Sequence, residues 1–383
     1  MLWKIFSVIK RRGAGGRKEE NKVGDLGELG DRIRRRGSMV QRRRVLPVVV
    51  DDGDCGYLLF RINVNRLFSS SQSQETKMRR LPAPVTRFAT MPHRPERIDF
   101  ALAGGGATLV GVSSQHRTVL HDAASGVTSA GPELAHDKVG CCFVVPLGRR
   151  RLCAVKRRHY DYPASPDEPT EPLGETLVGG AWRALPDPPP DLIRSRRGNP
   201  ACLLTACFAA GKRLWVSARD RGTYSVDTAA RAADGWRKEG DWQLPFQCRG
   251  LLAPDLAPGL CFGLCPRTTR LCACDVRRSP PPVRYAWDDT RPCWPTSFSQ
   301  ENIATVARLP DSSLAYLGDG EFCIAWTIAI SEDNSTIRQR ALWLMGVKIG
   351  KNSPSAPLRL LHHKACIYEL PDRALMAYAL HAD

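Results

Sequence analysis

Cysteine is the residue type with the most chemical reach in this sequence: there are fourteen. Cys261 and Cys265 frame "CFGLC", Cys272 and Cys274 frame "CAC", and Cys141 and Cys142 are adjacent. Structural zinc asks for four ligands in a tetrahedron, commonly supplied by Cys-x-x-Cys knuckles on turns. Neither spacing here is that of a knuckle, and the cysteines sit in runs that read as strands. Residues two apart on a strand share a face, so Cys272 and Cys274 point the same way. A buried cysteine behaves as a small hydrophobe. The core reading is preferred to the metal reading, and no metal or cofactor is expected.

The other chemical candidates are thinner. His362 and His363 precede an apolar run without the Glu or second His spacing of a metal site. Asp51 and Asp52 close a strand, where a turn role is the ordinary one. Gly104, Gly105 and Gly106 come before a strand, whereas a dinucleotide fingerprint needs its glycines after a strand and before a helix. They read as a tight turn. Neither a phosphate loop nor a nucleophile elbow is present. No catalytic residue is assigned.

The elements that would carry these residues are short. Residues 1–45 hold fourteen Lys and Arg against five Asp and Glu, more than half of the net charge of +17. This Gly- and Arg-rich stretch shows no strand or helix period and is expected to be a disordered basic arm covering residues 1–44. Its clusters, Arg32, Arg34, Arg35, Arg36, Arg42, Arg43 and Arg44, suit an acidic import-receptor groove; a non-specific basic tail is the other reading. Nucleic acid is expected to bind only non-specifically, through this arm. No run approaches the roughly 20 apolar residues of a membrane helix, and no secretory signal is read. A reduced cytoplasmic or nuclear protein is expected.

From Val45 onward, β-branched and apolar runs alternate with Gly, Pro, Asp and Ser clusters. The 29 prolines and 32 glycines would break most helices. One order recurs: strand, turn, strand, Asp, turn, then a strand carrying Trp or another apolar residue. It is read at Thr108–Ser113 and Thr118–His121 with Asp122, at Leu214–Ala218 and Thr223–Val226 with Asp227 and Trp236, and at Leu260–Leu264 and Leu271–Cys274 with Asp275 and Trp287. A degenerate copy ends near Trp182. The Asp spacing fits a repeat of about 50 residues. One such sheet cannot bury both faces alone, but radial packing of several can. The Asp would accept backbone N–H bonds in an Asx turn, and the late Trp would fill the wedge between sheets. The expected fold is an all-β propeller over residues 45–383 with about six blades, five and seven being the alternatives. Trp215, Trp236, Trp287, Trp326 and Trp343 are expected to be largely buried.

The segments "VVVDDGDCGYLLFRINVNRLF", "LVGVSSQHRTVLHDAASGVTSAGP", "RLWVSARDRGTYSVDTAA", "WRKEGDWQLPF", "RLCACDV", "LGDGEFCIAW" and "LRLLHHKACIYEL" resemble the plant family catalogued as domain of unknown function 1668. The resemblance covers roughly residues 39–370. It implies a kelch-like β-propeller and no activity. Members of that family tend to begin close to the "VVVDD" strand, and Met39 stands just before it. Residues 1–38 are therefore read either as an extension or as a misread start.

With a repeat and no catalytic set, the expected role is a non-enzymatic protein-interaction module, monomeric, with an unidentified protein partner. Kelch-type propellers in plants often partner an F-box, and none is read in residues 1–45. The alternative is a propeller enzyme or small-ligand binder using the central channel. That reading needs polar side chains converging at one mouth.

Overall fold

The computed structural model describes residues 44–69, 78–90, 96–138, 142–148, 151–160, 172–194, 201–229, 235–290, 303–304, 312–331, 337–353 and 355–381. Every described strand lies in the unit formed by residues 43–383. Arg32, Arg34, Arg35, Arg36, Arg42, Arg43 and Cys141 lie outside the described residues.

Antiparallel meanders follow one another along the chain. Blade 1 contains Val45–Asp51, Tyr57–Asn63 and Thr86–Phe88. Blade 2 runs Ile98–Ala103, Thr108–Ser113, Thr118–Asp122 and Thr128–Ala130. Blade 3 runs Cys142–Pro146, Leu152–Lys156, Gly174–Val178 and Ala181–Ala184. Blade 4 runs Ala201–Ala210, Arg213–Ala218, Gly222–Asp227 and Trp236–Gly240. Blade 5 runs Gln247–Leu252, Leu260–Leu264, Leu271–Asp275 and Val283–Ala286. Blade 6 contains Ser312–Tyr316, Glu321–Ser331, Ile337–Gly350 and Arg359–Glu369. The last strand, Met376–Ala379, returns to pair with Val48–Asp51 and becomes the innermost strand of blade 1. The protein is a six-bladed β-propeller.

The two-residue period of the strands builds the ring. In Leu260–Leu264, the side chains of Leu260, Phe262 and Leu264 join a core with blade 6, while Cys261 faces a core with blade 4. In Leu152–Lys156, Leu152 and Ala154 pack toward blade 2, and Cys153 and Val155 toward blade 4. In Val45–Asp51, Leu46, Val48 and Val50 pack toward blade 6 and Val49 toward blade 2. Each blade is apolar on both faces, as the alternation requires. The hydrophobic clusters link blades 1 and 2, 2 and 3, 3 and 4, 4 and 5, 5 and 6, and 6 and 1. This closed circuit excludes five or seven blades.

The recurring Asp does what an Asx turn requires. Asp122 Oδ1 accepts the N–H groups of Ala124 (3.0 Å) and Ser125 (2.7 Å). Asp227 Oδ1 accepts Ala229 N–H at 2.8 Å, and Asp275 Oδ1 accepts Arg277 N–H at 3.2 Å. The late Trp reaches the neighbouring blade. Trp182 Nε1 donates to Thr118 Oγ1 of blade 2 at 2.9 Å, and Trp236 Nε1 donates to the Pro186 carbonyl at 2.9 Å. Trp287, Trp326 and Trp343 are buried. Trp215 and Trp236 differ from expectation in being half-buried: Trp215 stacks on Phe208 at 4.8 Å between centroids, and Trp236 keeps one edge open as its indole N–H reaches across to the Pro186 link.

Arg44 is tied into the propeller rather than free in the arm. Its guanidinium pairs with Glu321 of blade 6 in a two-pronged contact, its N–H donates to Asn65 Oδ1 at 3.0 Å, and it lies over the Phe68 ring.

Lys138, in the link from blade 2 to blade 3, meets Glu175 of blade 3 at 2.5 Å, and their side chains are 1% and 0% exposed. Glu175 also accepts the N–H groups of Ala135 (3.0 Å) and His136 (3.1 Å). Burial pushes the Glu175 carboxyl up, but Lys138 and these donors outweigh it and hold it below the usual range. A depressed carboxylate stabilises the fold above its unfolded pKa, and that share is lost as pH falls through the folded value. Lys138→Met removes the cation and leaves the charge buried. At neutral pH it is expected to cost about 3–5 kcal/mol, shrinking as acid neutralises Glu175. Urea titrations across pH check this; a loss that stays the same at every pH contradicts it.

Candidate functional site

The innermost strands surround an axial channel and all run from its narrow end to its wide end. Two cavities lie along it. The wide one, about 1090 Å³, takes lining residues from every blade, among them Arg61, Leu102, Val145, Ala209, Arg249 and Leu317. The narrow one, about 140 Å³, is lined by Asp99, Cys142, Gln247 and Ser312 near the starts of their inner strands and by Tyr378 of the last strand, among others. Arg249, Leu380 and His381 line both and mark where the two adjoin.

The wide cavity is mainly aliphatic side chains, prolines and glycines. Its polar groups come from separate blades. Arg61, exposed on blade 1, donates to the Ala123 carbonyl at 3.3 Å. On blade 6, the Tyr316 hydroxyl donates to Asp255 Oδ2 at 2.5 Å and accepts Gly320 N–H at 3.0 Å. Asp255 also accepts Asp319 N–H at 3.2 Å. Burial and the Asp255 carboxylate both push the Tyr316 phenol well above its ordinary range, so it stays protonated at neutral pH. His381 is buried, and its Nδ1 lies 3.2 Å from the Tyr316 N–H that donates to it. This network ties blades 5 and 6 to the chain's end.

The narrow cavity is more polar. Asp99 Oδ2 accepts Cys142 N–H at 2.8 Å. Burial pushes the Asp99 carboxyl up, against the pull of Arg97 and that N–H. Gln247 donates through Nε2 to Ser312 Oγ at 3.1 Å. Beside it Cys248 sits in the left-handed region at φ 59°, where the pairing register of Gln247–Leu252 shifts. Bulges and strained φ values cluster at functional sites.

The model for the family described as Protein of unknown function (DUF1668) matches residues 43–368. The chain belongs to this family. No curated protein matches the chain. Among solved structures, a functionally unknown protein from Desulfotomaculum acetoxidans DSM 771 is similar at TM-score 0.43 and 8% identity, over 84% of this chain and 80% of that one. A putative TolB from Agrobacterium tumefaciens gives TM-score 0.37 and 10% identity, over 86% and 99%. The Cps50 (Swd1) β-propeller domain of Myceliophteria thermophila gives TM-score 0.37 and 8% identity, over 85% and 83%. Likenesses this distant leave the sheet pairing of the DUF1668 chain itself to define its fold.

Of the residues singled out from sequence, Cys142 lines the narrow cavity and Gly106 the wide one, and the other described ones lie outside the channel. Cys261, Cys272 and Cys274 of the DUF1668 chain sit in the core between blades 4 and 5. Cys265 lies at the end of Leu260–Leu264, half-buried. Asp51 Oδ1 accepts Gly53 N–H at 3.1 Å, and buried Asp52 pairs with Arg87 at 3.0 Å. His362 Nε2 contacts the Leu67 carbonyl at 3.1 Å. Gly104, Gly105 and Gly106 take φ of 63°, 68° and 90° and turn blade 2 from its first strand to its second, a path that side chains with a Cβ disfavour. Among the described residues, no cluster of three or more His, Cys, Asp or Glu is placed to hold a metal ion, and no helix is long and apolar enough to cross a membrane. Sequence reading missed Arg61, Asp99, Gln247, Arg249, Tyr316 and Tyr378. The available signal was a polar residue interrupting an apolar inner strand, as in "IDFALA" and "FQCRGLL".

Thiol chemistry differs sharply by position. Burial pushes Cys153, Cys207 and Cys272 each up to about 12. Partial burial raises Cys265 too, but the Thr268 hydroxyl, the N–H groups of Arg267 and Thr268, and the Arg270 charge outweigh it and hold the thiol below its usual value. Iodoacetamide at near-neutral pH is expected to alkylate Cys265 while sparing Cys153, Cys207 and Cys272 until the protein unfolds. Peptide mass mapping checks this; early labelling of those three contradicts it.

Proposed function

We propose that this DUF1668 propeller is a non-enzymatic interaction module whose wide cavity receives a segment of a partner protein. The observation that carries the reading is the cavity itself: all six blades contribute to it, its walls are mainly apolar, and two arginines from different blades line it. Apolar walls with a few placed polar groups are built for binding. The chemistry there favours recognition over catalysis. Tyr316 is held protonated and engaged by Asp255, so it is a poor base.

A second reading has its own support. A volume of about 1090 Å³ is close to the upper end of small-molecule pockets, roughly 300–1,000 Å³. A small apolar anion would find both surface and charge there.

A photo-crosslinking residue in place of exposed Arg61 separates the two. The same residue in place of Val127, 60% exposed just before the outer strand of blade 2, serves as the control. A discrete protein adduct from position 61 and none from 127 is expected. Equal adducts at both positions, or a small-molecule adduct only at 61, contradict the protein-partner reading.

A further inference from the structure

The narrow cavity is a second site, distinct in chemistry from the wide one. Its wall is made by side chains that meet only because the ring closes: Asp99 from blade 2, Gln247 from blade 5, Ser312 from blade 6 and Tyr378 from the returning last strand. Two of these present buried polar atoms that no described protein group satisfies. Gln247 is 6% exposed. Its Nε2 donates to Ser312 Oγ at 3.1 Å, but its Oε1 has no protein partner. The Tyr378 hydroxyl is buried and also lacks one. Leaving such groups unsatisfied costs about 1–3 kcal/mol each, so a fold that keeps two of them on one small cavity has a reason to hold a guest there.

The wall's pattern says what the guest must be. Gln247 Oε1 is an acceptor, the Asp99 carboxylate has lone pairs beyond the one taken by Cys142 N–H at 2.8 Å, and the Tyr378 hydroxyl can serve as a third acceptor. The guest must therefore donate hydrogen bonds. Asp99 is near Arg97 and Arg157, yet its burial goes only partly compensated, so a guest with a positive charge gains by keeping the carboxylate ionised. Arg249, the arginine in the wall, works against every cation and against a doubly charged one most. A cavity of about 140 Å³ has room for a few water-sized groups. We propose that the narrow chamber binds a small primary ammonium group, seated on Asp99, Gln247 Oε1 and the Tyr378 hydroxyl. The ammonium is either a free small amine or the tip of a lysine side chain from a partner.

Calorimetric titration of the full chain tests this, with methylammonium, Nα-acetyllysinamide and tetramethylammonium at matched ionic strength. Tetramethylammonium has the charge without N–H donors. The proposal expects binding of methylammonium, of acetyllysinamide or of both, and none of tetramethylammonium. Methylammonium alone assigns the free amine, and acetyllysinamide alone the partner lysine. Gln247→Leu and Tyr378→Phe, the latter keeping the ring that packs against its neighbours, should each weaken binding by roughly tenfold, the scale of one lost hydrogen bond to a charged group. Neither variant should lower the thermal transition of the free protein, since each removes a buried group without a protein partner. Equal heats from tetramethylammonium, unchanged affinity in both variants, or no binding of either primary amine overturns the proposal and leaves the chamber to water.

Discussion

The pairing of Val48–Asp51 with Met376–Ala379 is the constraint on which the structure depends. Five blades are complete within consecutive stretches of chain, but blade 1 has its innermost strand only when the chain's last strand returns. That strand does more than add a ladder. Ala377 and Ala379 enter the core between blades 6 and 1, and Leu380 enters the core between blades 1 and 2. Thr327 of blade 6 exchanges bonds with Ala377, its hydroxyl donating at 3.1 Å and accepting at 2.8 Å. Because every interface needs both neighbours, an open ring would expose two apolar blade faces at once.

The channel follows from that closure. Inner strands converge on the axis, and the inner strands of blades 4 and 5 approach closely enough to pair directly, Ala206 with Cys248 and Cys207 with Arg249. At their starts they carry Asp99, Gln247 and Ser312, so the narrow end is polar. Toward their ends they carry Leu102, Val145 and Leu251, so the wide end is apolar. One axis thus presents two chemistries.

Local features of the fold were legible in the sequence because they are set by neighbours in the chain. Thr108–Ser113 and Leu260–Leu264 are strands over the bounds that their apolar runs mark. Asp122, Asp227 and Asp275 act two residues away, within the reach of an Asx turn. The two-residue spacing of Cys272 and Cys274 puts them on one strand face, and both lie in the core between blades 4 and 5, with Leu271 and Ala273 in the core between blades 5 and 6. The axial site was not legible. Asp99, Gln247 and Tyr378 are far apart in sequence, and their meeting depends on ring closure, which no short window encodes. Arg44 reads as one more arm arginine until Glu321 comes alongside it from 277 residues away.

The measurement that bears most directly on this account is equilibrium unfolding of the chain ended at Leu375, which lacks the returning strand. The account predicts loss of the single cooperative transition and exposure of apolar surface that binds a hydrophobic dye, because the blade 6 and blade 1 faces lose their seal. A truncated chain that unfolds in one transition, with the midpoint of the full chain, would contradict it.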